Sequence, residues 1–270
     1  MKVSVIITTY NAEEWLQKVL IGFSKQDEAD FEIVIADDGS TYKTKEILDA
    51  FSSKFNHQIV HVWQEDDGFQ KSKILNKAIL KANSDYLLFT DGDCVPRTDF
   101  VSTHLKERKK GCFLSGGYFK LPMLISKLIS EEDIVSQRCF KVSWLRSKGL
   151  KLNFNLTKLT QNNTFASFMN WVTPTKSSWN GHNSSGYKSD ILAINGFNQN
   201  MKYGGLDREL GERLKNLGLS SKQIRYSAIC LHLDHTRDYS DPEIWKKNNE
   251  IRAYNKKNKI TKIDNGITSL

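Results

Sequence analysis

Short, continuously apolar runs alternate with amphipathic stretches through the first third of this chain. Val3–Ile7, Phe31–Ala36, Ile59–Trp63 and Tyr86–Thr90 are β-branched or aromatic runs of strand length. Between them Trp15, Leu16, Val19, Leu20 and Phe23 recur at helical spacing, as do Ile47, Leu48 and Phe51, and then Ile74, Leu75, Ala78 and Ile79. A 3.6-residue period marks one buried face of a helix, whereas an unbroken apolar run marks a strand covered on both sides. The alternation predicts an α/β fold: a Rossmann-like, mostly parallel sheet with helices on both faces.

Polar residues gather where each run stops: Thr9 to Asn11, Asp37 to Ser40, Gln64 to Gly68, and Asp91 to Asp93. In open parallel sheets, ligands bind at the carboxyl ends of the strands, so these clusters are expected to converge on one rim. The second half is less regular. Phe113–Tyr118 reads as a strand in which Gly116 and Gly117 mark a bulge or a close backbone approach. Residues 121–148 read as loosely helical, 150–178 as irregular and 179–189 as turn-rich. Leu206–Leu217 reads as a helix, Ile224–His232 as a strand and Asp241–Lys257 as a basic helix.

A chain of 270 residues can bury a full core. Its net charge of +8 favours an anionic partner: nucleic acid, a membrane surface or a phosphorylated small molecule. No RNA-binding signature or zinc-finger spacing accompanies the dispersed lysines, which argues against nucleic acid. Cys94, Cys112, Cys139 and Cys230 show no CxxC spacing and read as reduced thiols of a cytoplasmic protein. The opening MKVSVIITTYN turns polar too soon for a signal peptide, and no apolar run approaches the roughly 20 residues of a span. Membrane contact would then be peripheral, at the inner face of the plasma membrane. Phe140, Trp144, Phe168 and Trp171, with Lys141 and Lys148 nearby, have the mixture that anionic lipid requires. Burial in the core or in a homodimer interface explains the same residues at least as well.

Four constellations carry candidate chemistry. Asp91-Gly92-Asp93 follows a strand directly and can aim two carboxylates at Mg²⁺ or Mn²⁺; an Asp-Gly turn without chemistry has the same sequence. Asp37-Asp38-Gly39-Ser40 offers a carboxylate to a nucleobase N–H or a turn that opens the next helix. Lys71 can meet phosphate or lie on a solvated helix face. Gly204-Gly205-Leu206-Asp207-Arg208-Glu209 lets backbone approach a ligand and sets carboxylates at a helix start, where an aspartate can act as general base or complete an ordinary acidic first turn. His232 and His235 end a strand and can complete a carboxylate metal site or decorate the surface.

In this order VSVIITTYN, IADDGS, WQEDDGFQKSKILNKAI and LLFTDGDCVP resemble the inverting GT-A glycosyltransferases of family two, the third block resembling chondroitin-polymerase-like members. NGFN, YGGLDREL and ICLHLDH resemble the carboxyl-terminal half shared with β-1,4-galactosyltransferase-type enzymes. The resemblance implies a single GT-A domain over 1–270. Residues 1–95 would be the nucleotide-binding half and 96–240 the acceptor half, with a variable segment at about 121–178. Residues 241–270 would form a basic tail. It implies transfer of a sugar from a UDP-sugar to a glycan or lipid-linked acceptor in bacterial surface-polysaccharide synthesis, with Mn²⁺ or Mg²⁺. Thr9 and Tyr10 would line the uracil pocket and Asp38 would read the base, with Lys71, Asn76, Asp91 and Gly92 completing the donor site. Asp93, with Asp91 and with His232 or alternatively His235, would hold the metal; Asp207 would be the general base; Gly205, Leu206 and Glu209 would meet the acceptor. Leu206 stands where the galactosyltransferase-type motif has a glutamate, which puts acceptor preference in doubt. A catalytically weak sugar-nucleotide-binding subunit and a nucleotidyltransferase are the alternatives. The second usually opens with a Gly-rich phosphate loop, which Thr8-Thr9-Tyr10-Asn11 is not.

Overall fold

The computed structural model describes every residue except 54, 56 and 237–240. The apolar runs form β1 (Val3–Thr9), β2 (Phe31–Asp37), β3 (Ile59–Trp63) and β4 (Tyr86–Asp91), separated by α1 (Glu13–Phe23), α2 (Tyr42–Ser52) and α3 (Lys71–Lys81). β2 and β4 flank β1, and all four strands are parallel. The direction of winding therefore reverses between β1 and β4, which opens a crevice at their carboxyl ends.

The pleat explains why helices cover both faces. Val3, Val5 and Ile7 enter one apolar cluster with Leu16, Leu20 and Phe23 of α1. Ile6, on the opposite face of β1, joins Ile74, Leu75 and Ile79 of α3 in another. Successive strand residues point to opposite faces, so a doubly covered strand must be apolar at nearly every position.

Beyond β4 the chain makes β5 (Cys94–Pro96), α4 (Phe100–Glu107), β6 (Cys112–Ser115) and β7 (Gly117–Lys120). The stretch read as loosely helical is broken into α5 (Met123–Leu128), α6 (Glu131–Val135) and α7 (Val142–Ser147). Ser130 caps α6 by exchanging hydrogen bonds with Asp133, a reciprocal capping box that forces a fresh start. The stretch read as irregular contains α8 (Asn163–Val172), capped by the Asn162 side chain. There Phe168 and Trp171 are exposed, whereas Phe140 is buried. β8 (Ser184–Tyr187), α9 (Lys188–Ala193), α10 (Leu206–Asn216), β9 (Ser220–Gln223), β10 (Ile229–His232) and α11 (Pro242–Lys257) complete the order.

The main sheet runs β3-β2-β1-β4-β8-β6-β9, and a small sheet, β5-β10-β7, stands beside it. β8 is antiparallel to both β4 and β6 and buries Ser184 and Ser185. The Ser185 hydroxyl lies 2.7 Å from both the Tyr86 hydroxyl and His104 Nδ1, and Asn183 Oδ1 lies 2.8 Å from His104 Nε2. Hydrogen bonding of this kind permits a polar strand in a sheet centre. Gly116 and Gly117 are a close approach: a Cβ on Gly117 would lie 2.2 Å from the Arg225 carbonyl. Among the described residues no helix is long and apolar enough to cross a membrane.

The segment read as a basic tail is folded onto α10. Asn248 of α11 donates to the Gly204 carbonyl at 2.7 Å, and Arg252 pairs with Glu212 at 2.6 Å. Within α10, Arg213 is fully buried; it pairs with Glu209 and donates to the carbonyls of Ile194 and Gly196. Removing one partner of a buried pair strands the other charge, at a cost of about 3–5 kcal/mol. Arg213→Leu should therefore lower the urea midpoint by that much stability. A midpoint equal to wild type would show that the pair is dispensable.

Candidate active site

The carboxyl ends of β1 and β4 set the first group of side chains. Gly92 N–H donates to the Thr8 carbonyl at 2.7 Å, holding the turn after β4 against β1, and a Cβ at Gly92 would press on that carbonyl at 2.8 Å. Asp91 Oδ1 accepts from Thr8 Oγ1 at 2.6 Å and from Lys71 Nζ at 2.7 Å. Burial alone would raise its pKa, but the Lys71 charge and these bonds win and hold it well below the carboxylate range. Lys71 is raised in turn: the charges of Asp91 and Asp207 outweigh its own desolvation. Thr9 Oγ1 is buried and lacks a hydrogen-bond partner, and the exposed Tyr10 donates its hydroxyl to Asp66 at 2.9 Å.

Asp38 follows β2. It accepts from Gln64 Nε2 at 2.7 Å and from the Gln70 N–H at 2.9 Å, yet burial still pushes its pKa up to about 6. Gly39, at φ 97°, makes the turn beyond it, where a side chain would be strained and would collide with Asp66.

Asp93 faces two imidazoles. His235 Nε2 lies 3.0 Å and His232 Nε2 3.8 Å from Asp93 Oδ2. The Nδ1 of His232 is 2.9 Å from the Leu233 carbonyl, and that of His235 is 2.7 Å from the Thr236 carbonyl. A carbonyl only accepts, so Nδ1 carries the proton in both rings and a neutral ring presents a lone pair at Nε2. A lone pair 3.0 Å from a carboxylate oxygen is stable only with a proton or a cation between them. Potential ligand atoms of Asp93, Cys94 and His232 lie within 4.8 Å of one another. A carboxylate with carbonyl-oriented imidazoles fits a first-row divalent ion.

Asp207 enters from the head of α10. Gly204 (φ 105°) and Gly205 (φ 88°) precede it in the left-handed region, and a Cβ on Gly204 would strike the Trp245 ring at 2.7 Å. Asp207 Oδ1 is shielded from solvent and has no hydrogen-bond partner. Burial pushes its pKa up to about 6; Lys71 opposes this shift and Asp91 reinforces it.

A cleft of about 970 Å³ gathers Thr9, Tyr10, Asp38, Lys71, Asp91, Gly92, Asp93, Gly205, Leu206, Asp207, His232 and His235. Asn76 and Glu209 are not brought to it. Asn76 is fully buried and exchanges hydrogen bonds with the Phe197 backbone, both at 2.8 Å. Glu209 points from α10 into its pair with Arg213 and Asn255. Leu206 packs into the core while lining the cleft floor.

Sequence reasoning missed the aromatic wall. Phe69, Tyr203 and Trp245 line the cleft, with ring centroids 5.9 and 6.0 Å apart in sequence of contact. It also missed His182, whose pKa burial lowers to about 4 beside Asp91 and Asp93. Phe69 and Tyr203 stand within the blocks WQEDDGF and YGGLDREL, but Trp245 and His182 carry no motif, because α11 and the loop before β8 bring them in from afar. The described residues of the cleft wall hold six carboxylates against two ammonium groups, in a chain whose net charge is +8.

Residues 4–117 match the family model for glycosyl transferase family 2. Over 95 residues it is 35% identical to the poly(ribitol-phosphate) β-N-acetylglucosaminyltransferase TarS of Staphylococcus aureus, covering 34% of this chain and 16% of that protein. It is 32% identical over 104 residues to chondroitin synthase of Escherichia coli, covering 38% and 15%. The matches thus span about a sixth of the length of these relatives. In fold, the likeness extends over nearly the whole chain. TarS residues 1–349 in complex with UDP-GlcNAc superpose with a TM-score of 0.63 at 17% identity, covering 96% of this chain and 69% of that one. A mannosyltransferase from Pyrobaculum calidifontis in complex with GDP-Man and Mn²⁺ gives 0.59 at 17%, covering 94% and 69%. The fold of this chain is accordingly GT-A: α/β, with a mostly parallel central sheet.

The raised pKa of Asp207 makes a stability prediction. Its charged form is disfavoured in the folded state, so the cost is absent below the ordinary carboxylate pKa of 3.8, grows towards pH 6 and stays constant above it. Asp207→Asn should therefore be more stable than wild type above pH 6, by about 1–2 kcal/mol after allowance for partial solvent access. The two proteins should converge near pH 4. Equal melting temperatures at pH 5 and pH 8 would contradict a desolvated Asp207 carboxylate.

Proposed function

We propose that this cleft moves one sugar, with inversion, from a UDP-sugar to a hydroxyl of a glycan or lipid-linked acceptor in bacterial surface-polysaccharide synthesis. The observation that carries the reading is Asp207: a carboxylate with one shielded, unpartnered oxygen, facing the same cleft as the Asp93 and histidine cluster. Family 2 relatives named for sugar transfer, and GT-A neighbours in complex with UDP-GlcNAc or GDP-Man, support it.

The chain's own residues would act as follows. Asp38 accepts from the uracil N–H, Thr9 and Tyr10 flank the base, and Lys71 places its ammonium beside the diphosphate. Asp207 accepts the proton of the acceptor hydroxyl as its oxygen attacks the anomeric carbon, and the pKa of about 6 keeps it ionised yet basic near neutrality. Attack opposite the leaving diphosphate inverts the configuration in one displacement, without a covalent intermediate. Phe69, Tyr203 and Trp245 offer faces to a sugar ring and exclude water. Asp93, with His232 or His235, would hold Mn²⁺ or Mg²⁺, the imidazoles favouring Mn²⁺, and such an ion supplies Lewis-acid stabilisation of the leaving diphosphate. The surplus of carboxylates is a reason for that ion, because a diphosphate would otherwise enter a negative cleft. Acceptor recognition passes from the missing glutamate at Leu206 to other parts of the cleft, and Glu209, committed to Arg213, takes no part.

Asp93→Ala should abolish Mn²⁺-dependent UDP binding by calorimetry together with UDP-sugar hydrolysis and transfer. Near-normal turnover in this variant, unaffected by EDTA, would contradict the metal site. Asp207→Asn should retain UDP binding while turnover falls by about 10² to 10⁴. Wild-type turnover in that variant would remove Asp207 as base. A sugar-nucleotide-binding subunit without activity would bind UDP and Mn²⁺ yet hydrolyse no UDP-sugar.

A further inference from the structure

The face that carries His232 does not end there. β7 runs parallel to β10 at the edge of the small sheet, pairing Lys120 with His232 and Tyr118 with Cys230. Paired residues share a sheet face, so the exposed Lys120 and Tyr118 continue the His232 face outward. Tyr118 packs edge-on against His182, with ring centroids 4.5 Å apart, and lies 5.7 Å from the His232 ring. On its far side Lys158 Nζ sits 5.7 Å from the Tyr118 ring centroid. Tyr118, Lys120, Asn153, Asn155 and Lys158 bound a second hollow, of about 150 Å³, next to the main cleft.

Its electrostatics are the reverse of the cleft's. Lys158 and Arg225 are each partly buried, and desolvation lowers both pKa values; the Arg225 charge lowers that of Lys158 further. Among the described residues neither has a carboxylate within ion-pair distance. Arg225 instead donates to the Lys176 carbonyl at 3.3 Å. Lys120 pairs with Asp234 at 3.2 Å, on the side towards the cleft. Two partly desolvated cations beside each other destabilise the fold unless an anion joins them. The asparagine amides and the Lys158 ammonium supply donors that a phosphate's oxygens take, and the nearby Arg225 charge adds to their pull.

We infer that this hollow, bounded by Lys158, Tyr118, Asn153 and Asn155 with Arg225 beside it, binds a phosphate group of the acceptor chain. The inference rests on the reading of the main cleft as a sugar-transfer site. It supplies that site with an acceptor contact that the Leu206 position lacks. The track from Asp93 past His232 and Tyr118 to Lys158 then holds an acceptor with its hydroxyl at the cleft and its anionic backbone at the sheet edge. A carboxylate cluster receives the cation-bearing donor on one side, and a cation cluster receives the acceptor on the other.

The test uses the full chain saturated with UDP and Mn²⁺, so that phosphate does not compete for the donor cleft. It is titrated with a soluble glycerol-phosphate oligomer and, separately, with phosphatidylglycerol vesicles, at low and high salt. The oligomer should bind saturably, more weakly as salt rises, and about tenfold more weakly to Lys158→Gln and to Arg225→Gln. A UDP titration of each protein reports on the donor cleft by itself, so a fault there counts against the proposed function and not against the hollow. The inference is overturned if wild type shows no saturable oligomer binding. It is equally overturned if both variants bind like wild type, or if only vesicles bind. If one variant fails to fold, the other decides.

Discussion

The contact between Lys71 and Asp91, 2.7 Å long at the carboxyl end of β4, organises the charge of the cleft. Asp91, Asp93, Asp207 and Asp38 all reach this cleft, because the winding order of the sheet brings the ends of β1, β2 and β4 to one rim. Like charges at such range raise one another's pKa, and burial adds to the effect. Lys71 relieves the crowding unevenly: it holds Asp91 ionised and only partly offsets the desolvation of Asp207. Carboxylates of one residue type thereby come to differ in basicity. One is locked as a structural anion and another is left poised near neutrality.

The negative surplus also explains the orientation of the histidines. Carbonyls at Leu233 and Thr236 fix Nδ1 of both rings as donors, which turns both Nε2 atoms to Asp93. That arrangement is unfavourable for neutral rings and favourable around a cation. The second hollow completes the pattern with opposite sign, since among the described residues Lys158 and Arg225 have no carboxylates like those that surround Lys71.

Much of the first half was legible in the sequence because β1 to β4 are doubly covered, so their hydropathy is continuous and their ends are sharply polar. Asp38, Asp91, Asp93 and Asp207 could be named for the same reason, each standing at the end of a strand or the head of a helix. β8 was not legible: Ser184, Ser185 and Gly186 look like a turn until His104 and Tyr86, far away in sequence, satisfy the hydroxyl of Ser185. Asn76 and Glu209 were misplaced because an amide or a carboxylate in a motif-bearing helix has two faces to choose from. Packing against Phe197 and Arg213 chose the inner one. Trp245 was out of reach since nothing local to α11 reports that Asn248 ties it to Gly204.

Asp207, with one shielded oxygen that has no hydrogen-bond partner, is the proposed base. That role is tested most directly by the pH dependence of transfer under saturating donor and metal. Turnover should fall about tenfold per pH unit below about pH 6, where the Asp207 carboxyl takes up its proton, and level off above it. A profile flat from pH 5 to pH 8, or one that Asp207→Asn reproduces in shape and height, would contradict it.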